Sequence, residues 1–130
     1  MEKIVSIVAN DFLHDGVNYE GYIITTTKSK ISIGISSGQS CCEHSEAYLF
    51  SEDENNSSDF IGAELISSSI TDTALQNHEI PDLDSGDVMF VTFNTDKSDF
   101  QIVAYNIHNG YYGHYAVFIK NEEVIFHDVL

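Results

Sequence analysis

The feature that most constrains this chain is a recurring two-residue alternation of apolar and small polar side chains. Tyr22, Ile24 and Thr26 alternate with Ile23 and Thr25, and Ile31, Ile33 and Ile35 alternate with Ser32 and Gly34. A side chain that changes face at every residue suits a pleated strand, so both runs predict strands, and Lys28-Ser29 between them predicts a hairpin turn. Glu64 to Thr71, Val88 to Asn94, Phe100 to Ile107 and Tyr115 to Ile119 read the same way, with Glu122 to Val129 as an added edge strand. Ile4 to Val8 is short enough to be a strand or one helical turn, and Asp11 to Asn18 holds turn residues.

One stretch reads differently. Glu43 to Phe50 predicts a short helix, with Ser40 as cap and Ala47, Tyr48 and Leu49 as its apolar face. The polar runs Ser51 to Asp59 and Asn77 to Gly86, the latter with the only proline, Pro81, read as loops. No repeat and no domain boundary stands out. The expected fold is therefore α+β, a mostly antiparallel sheet with one or two short helices in a single domain, residues 1–130.

Charge narrows the function classes. Twenty-one acidic residues face five lysines and no arginine, a formal net charge of −16. Nucleic-acid binding needs a basic footprint that this chain cannot assemble, and bidentate phosphate recognition favours the missing arginine. An acidic domain can instead seek a basic surface. The N-terminus has no apolar signal core, and no segment approaches the ~18 apolar residues of a membrane span. Cys41 and Cys42 are adjacent, and a disulfide between neighbours is strained, which predicts a reduced, cytoplasmic setting.

Two stretches carry chemistry: Ser40-Cys41-Cys42-Glu43-His44, and Asn106-Ile-His108-Asn-Gly110-Tyr-Tyr-Gly113-His114. We expect them to meet in space. Thiolate and imidazole together suit zinc, so Cys41 or Cys42 with His108 and His114 supplies three ligands, the fourth being the other cysteine, Glu43, His44 or a water. If Asn106 to His114 forms a hairpin, a three-residue loop (Asn109-Gly110-Tyr111) sets Asn106 opposite His114 and puts both histidines on one face. The same groups admit a zinc- or thiol-dependent hydrolase, with a cysteine nucleophile and histidine base, or Glu43 as base to a zinc-bound water.

These motifs, with Phe60-Ile61-Gly62-Ala63 between them, resemble a family of small phage and prophage proteins. In that family the cysteine pair and the Asn-Gly-Tyr-Tyr block are the signature, and the resemblance points at Cys41, Cys42, His108 and His114. It also looks similar to anti-CRISPR proteins that block type II effectors, some of which carry a structural metal. The implied function is a non-enzymatic inhibitor, stapled by zinc, that binds the basic nucleic-acid channel of a type II effector nuclease and blocks target-DNA loading. Its expected contacts are Glu52, Asp53, Glu54, Asp59, Asp82 and Asp84 on the acidic loops.

Overall fold

The computed structural model describes residues 2–36, 44–51, 57–71, 86–107 and 114–130. These form nine strands: β1 (Ile4–His14), β2 (Val17–Thr26), β3 (Lys30–Ser36), β4 (His44–Ser51), β5 (Leu65–Thr71), β6 (Gly86–Thr95), β7 (Phe100–Ile107), β8 (Tyr115–Lys120) and β9 (Glu123–Val129). One 3-10 turn, Ser57–Phe60, precedes β5. The strands build two antiparallel sheets, a five-stranded one in the order β1-β2-β3-β8-β9 and a four-stranded one in the order β4-β7-β6-β5.

The α+β expectation is overturned: among the described residues there is no α-helix, and the architecture is an all-β sandwich. The residues assigned to a helix from Glu43 to Phe50 belong instead, from His44 onward, to β4. That strand pairs with β7 from His44↔Ile107 to Ser51↔Phe100. Eight residues accommodate either a helical or a strand period. What decided the matter is partnership: Ala47 and Leu49 pack against the core, while Tyr48 meets Tyr105 edge-on on the opposite face, with ring centroids 6.0 Å apart. Ile4 to Val8 resolves as part of β1, which runs on to His14. Only Asp15 and Gly16 form the turn, both with positive φ, as a tight hairpin loop requires.

The core lies between the sheets. Ile24, Ile31, Ile33 and Ile35 from the five-stranded sheet meet Val91, Phe93, Phe100 and Ile102 from the other, all of them almost wholly buried. Phe93 and Phe100 stack at 4.8 Å, and Phe60 from the 3-10 turn packs on Phe100 at 4.5 Å. The isoleucine alternation in β3 is thus the inward face of the sheet, and Ser32 and Gly34 face outward.

Both sheets use the same turn. Thr26 and Thr95 each end a strand, and each hydroxyl oxygen accepts main-chain N–H bonds from residues two and three further on, Lys28 and Ser29 in one case, Lys97 and Ser98 in the other. The Thr-x-Lys-Ser pattern recurs in both turns, since the hydroxyl satisfies N–H groups that the strand ladders leave over.

Candidate functional site

The ends of the two chemistry-bearing stretches come together. Residues 37–43, with Cys41 and Cys42, are bracketed by Ser36 and His44, and residues 108–113, with His108, by Ile107 and His114. Ser36 ends β3 and is hydrogen-bonded to His114, while His44 is the ladder partner of Ile107. Cys41, Cys42, Glu43 and His108 themselves lie outside the described residues.

His114 is the one expected ligand whose surroundings are described. It is buried, and its Nδ1 lies 2.7 Å from the Ser36 main-chain oxygen and 3.2 Å from Ser36 Oγ. A carbonyl oxygen only accepts, so Nδ1 carries the proton and Nε2 of the neutral ring keeps its lone pair. The Ser36 hydroxyl oxygen also accepts the Tyr115 N–H at 3.0 Å. Main-chain bonds lock His114 to Leu130 in both directions, at 2.9 and 2.8 Å, and Asn106 Nδ2 donates to the same Leu130 oxygen at 3.0 Å. Ser36, Asn106 and Leu130 therefore hold His114 at the place where the two sheets meet.

Asn106 and His114, expected to face each other across a hairpin, are not ladder partners. β7 belongs to the four-stranded sheet, where Asn106 faces Ser45 and Asp87, whereas β8 belongs to the five-stranded sheet between β3 and β9. Consecutive strands β7 and β8 thus belong to different sheets. Asn-Gly marks a turn, but turn chemistry does not say whether the next strand returns beside its predecessor or passes to the facing sheet.

Of the expected contact residues, Glu52, Asp53, Glu54, Asp82 and Asp84 lie outside the described residues. Asp59 is exposed in the 3-10 turn, where its main-chain oxygen accepts from Lys97 Nζ at 2.9 Å. His14 is half-buried beside Asp15 at 3.5 Å, and the exposed His127 stacks on Tyr115 at 5.4 Å. Among the described residues, no group of three or more His, Cys, Asp or Glu side chains could hold a metal.

The fold sorts the charges in a way the chain order conceals. The main chain of Lys3 pairs with that of Glu64 just before β5, Lys28 lies in the β2–β3 turn and Lys30 starts β3, Lys97 lies in the β6–β7 turn, and Lys120 ends β8. Strand direction brings all five to one end of the sandwich. There the Glu2 carboxyl is held below its ordinary range: burial opposes this, but hydrogen bonds from Thr26 and Ser29 and the charges of Lys120 and Lys28 outweigh it. The opposite end has no lysine and exposes Asp11, Asp15, Glu20, Glu46 and Asp128.

Asp11 and Glu20 are direct cross-strand partners, a like-charged pairing that disfavours the sheet. With Tyr22, Glu46 and Ala47 they line an open cleft of about 350 Å³. Glu46 also accepts a 3.0 Å hydrogen bond from the Tyr105 hydroxyl. Burial, reinforced by that bond and by the Glu46 charge, pushes the Tyr105 phenol up to about 12.

The outer face of the five-stranded sheet holds a feature the sequence reading missed. Gly21 and Gly34 face each other across β2 and β3, and a Cβ at Gly21 would lie 1.9 Å from the Ile33 oxygen. The space above Gly34 is taken by Phe12, which stacks on Tyr19 at 5.4 Å and packs with Val17, Val117 and Ile119 into a second, smaller core. Asp15-Gly16 was the available signal for this hairpin.

No helix among the described residues is long and apolar enough to cross a membrane. No curated protein and no solved structure matches the chain. A family does match residues 1–118, nearly the whole chain, and this protein belongs to it: Domain of unknown function (DUF7448).

Proposed function

We propose that this protein is a non-enzymatic binding protein that presents its lysine-free acidic end to a basic surface, in the manner of an anti-CRISPR inhibitor. The partner is the nucleic-acid channel of a type II effector nuclease, and the consequence is blocked target-DNA loading. The observation that carries this reading is the segregation of all five lysines to one end, while Asp11, Asp15, Glu20, Glu46 and Asp128 are exposed at the other, which has no lysine. A domain with net charge −16 gains long-range attraction to cationic surfaces, and concentrating that charge at one end also orients the encounter.

With it goes a structural zinc held by Cys41, Cys42, His108 and His114. Support comes from the Ser36–His114 bond and the His44↔Ile107 pair, which tie together the ends of both ligand-bearing stretches. The proton on His114 Nδ1 adds to it, since ligating histidines characteristically donate their other N–H to a carbonyl or carboxylate.

The test is a target-DNA cleavage assay with a type II effector, with this protein added before the DNA, alongside affinity measured at low and high salt. Inhibition is expected, and binding should weaken roughly tenfold or more as salt screens the exposed charges. Replacing Asp11 and Glu20 by lysine should weaken it at low salt only. Affinity indifferent to salt would remove the electrostatic basis of the proposal.

A further inference from the structure

A second surface is defined by where charge is missing. Each sheet of the sandwich has two edge strands among the described residues, β1 and β9 in one and β4 and β5 in the other. An edge offers unsatisfied main-chain N–H and C=O groups, and soluble proteins commonly protect such edges with charged side chains, prolines or bulges. Three of the four carry acids: Asp11 on β1, Glu46 on β4, Glu123 and Asp128 on β9. β5 reads Leu-Ile-Ser-Ser-Ser-Ile-Thr, with no charge and no proline; its start carries a register shift between Leu65 and Ser67 and a main-chain bond from the Leu65 N–H to the Glu2 oxygen, which leaves Ile66 to Ile70 as the edge among the described residues. Within a chain of net charge −16, this edge is the anomaly.

The same absence of charge selects the occupant. Two copies of this chain repel each other, and pairing through β1, β4 or β9 would add carboxylates at the contact. Pairing through β5 would not. Centred on Ser68, an antiparallel pair sets Ser67 against Ser69 of the second copy and Ile66 against Ile70. Ile66 is 64% exposed, and Ile70 only partly buried against the core, so this register covers an apolar side chain that the lone chain leaves in water.

We propose that two copies of this chain pair antiparallel, edge to edge, through β5 about a two-fold axis at Ser68, joining their four-stranded sheets into one. The contact is self-complementary, as a closed dimer requires, and its affinity comes from main-chain hydrogen bonds. It leaves the end bearing Asp11 and Glu20 open, so the surface assigned above to a basic partner stays available in the dimer.

Sedimentation of the full chain over a concentration series tests this. A monomer–dimer equilibrium is expected, tighter at high salt, where screening relieves repulsion between the two acidic copies. That salt dependence is opposite in sign to the one expected for docking on a basic surface, so either idea can fail alone. Ser67→Asp with Ser69→Asp places carboxylates directly opposite one another and should give a monomer. Ser67→Lys with Ser69→Lys should do the same, and an equimolar mixture of the two double variants should recover a mixed dimer. Ser67 and Ser69 are both exposed, and the melting temperature of each variant at low concentration checks that it still folds. A wild-type chain that stays monomeric throughout, or double variants that self-associate as the wild type does, would overturn the proposal.

Discussion

The His114 ring is fixed by the Ser36 main-chain oxygen, 2.7 Å from Nδ1, across a sequence separation of 78 residues. One bond thus ties the end of β3 to the start of β8 and sets the tautomer of a buried imidazole. His114→Ala should cost about 1–3 kcal/mol, since the half-buried Ser36 carbonyl and hydroxyl lose their imidazole partner. Ser36→Ala keeps the carbonyl acceptor and removes only the hydroxyl, and should cost about 1 kcal/mol. Urea unfolding measures both, and an unchanged midpoint in His114→Ala would show that the bond contributes nothing.

Metal analysis of the purified chain should find about one zinc per molecule, as four-ligand structural sites hold. Cys42→Ser and His114→Ala should each lose it, and a chelator should lower the melting temperature of the wild type but not of those variants. A site closed by four protein ligands is structural, whereas a bound, exchangeable water would favour the hydrolase chemistry the same residues admit.

Gly21→Ala tests the pinch between β2 and β3. Its Cβ would fall 1.9 Å from the Ile33 oxygen, against backbone that cannot swing aside as a side chain would. A loss of about 3 kcal/mol or more is expected. Gly16→Ala meets nothing within 4 Å, and there only the φ of +79° opposes it, so about 1 kcal/mol should be lost. Equal losses at the two positions would refute the steric account.

Phe100 lies between Phe93 and Phe60 and is fully buried. Phe100→Ala should cost about 3–5 kcal/mol, the range for a buried aromatic that leaves a cavity. A loss under about 1 kcal/mol would mean that the site collapses around the smaller side chain.

Tyr105 predicts a stability change at high pH. Its folded pKa, about 12, is raised above the ordinary value of 10.0 by burial and by Glu46. The unfolded chain therefore releases its proton first, and stability should fall as pH rises from 10 towards 12. Tyr105→Phe should flatten that part of the curve, and tyrosinate absorbance should show one late-titrating phenol fewer. A wild-type curve already flat over that window would contradict the assignment.

What could be read from the chain follows from the range of the forces involved. Period-two alternation is local, and it placed β3, β5, β6, β7, β8 and β9 close to their observed bounds, but only the second half of β2, whose first residues read as turn. The error at β4 was local as well, because eight residues suit two periods and only pairing with β7 chooses between them. The expectation that the cysteine and histidine stretches approach each other rested on ligand chemistry, and the residues bracketing both stretches do lie together. The expected hairpin register did not survive, because sheet membership is a non-local choice.

By itself, then, the sequence determined most of the strand pattern, β1 and β4 excepted, the alternating isoleucines of β3, the acidity and the residue types able to bind zinc. Tertiary structure alone decided that β7 and β8 part into different sheets, that Gly21 meets Gly34, and that five lysines scattered from Lys3 to Lys120 gather at one end. The physical reason is shared. Alternation is dictated by each residue's own backbone, whereas sheet order, close approach and the sorting of charge depend on which strands pair, and no single strand carries that information.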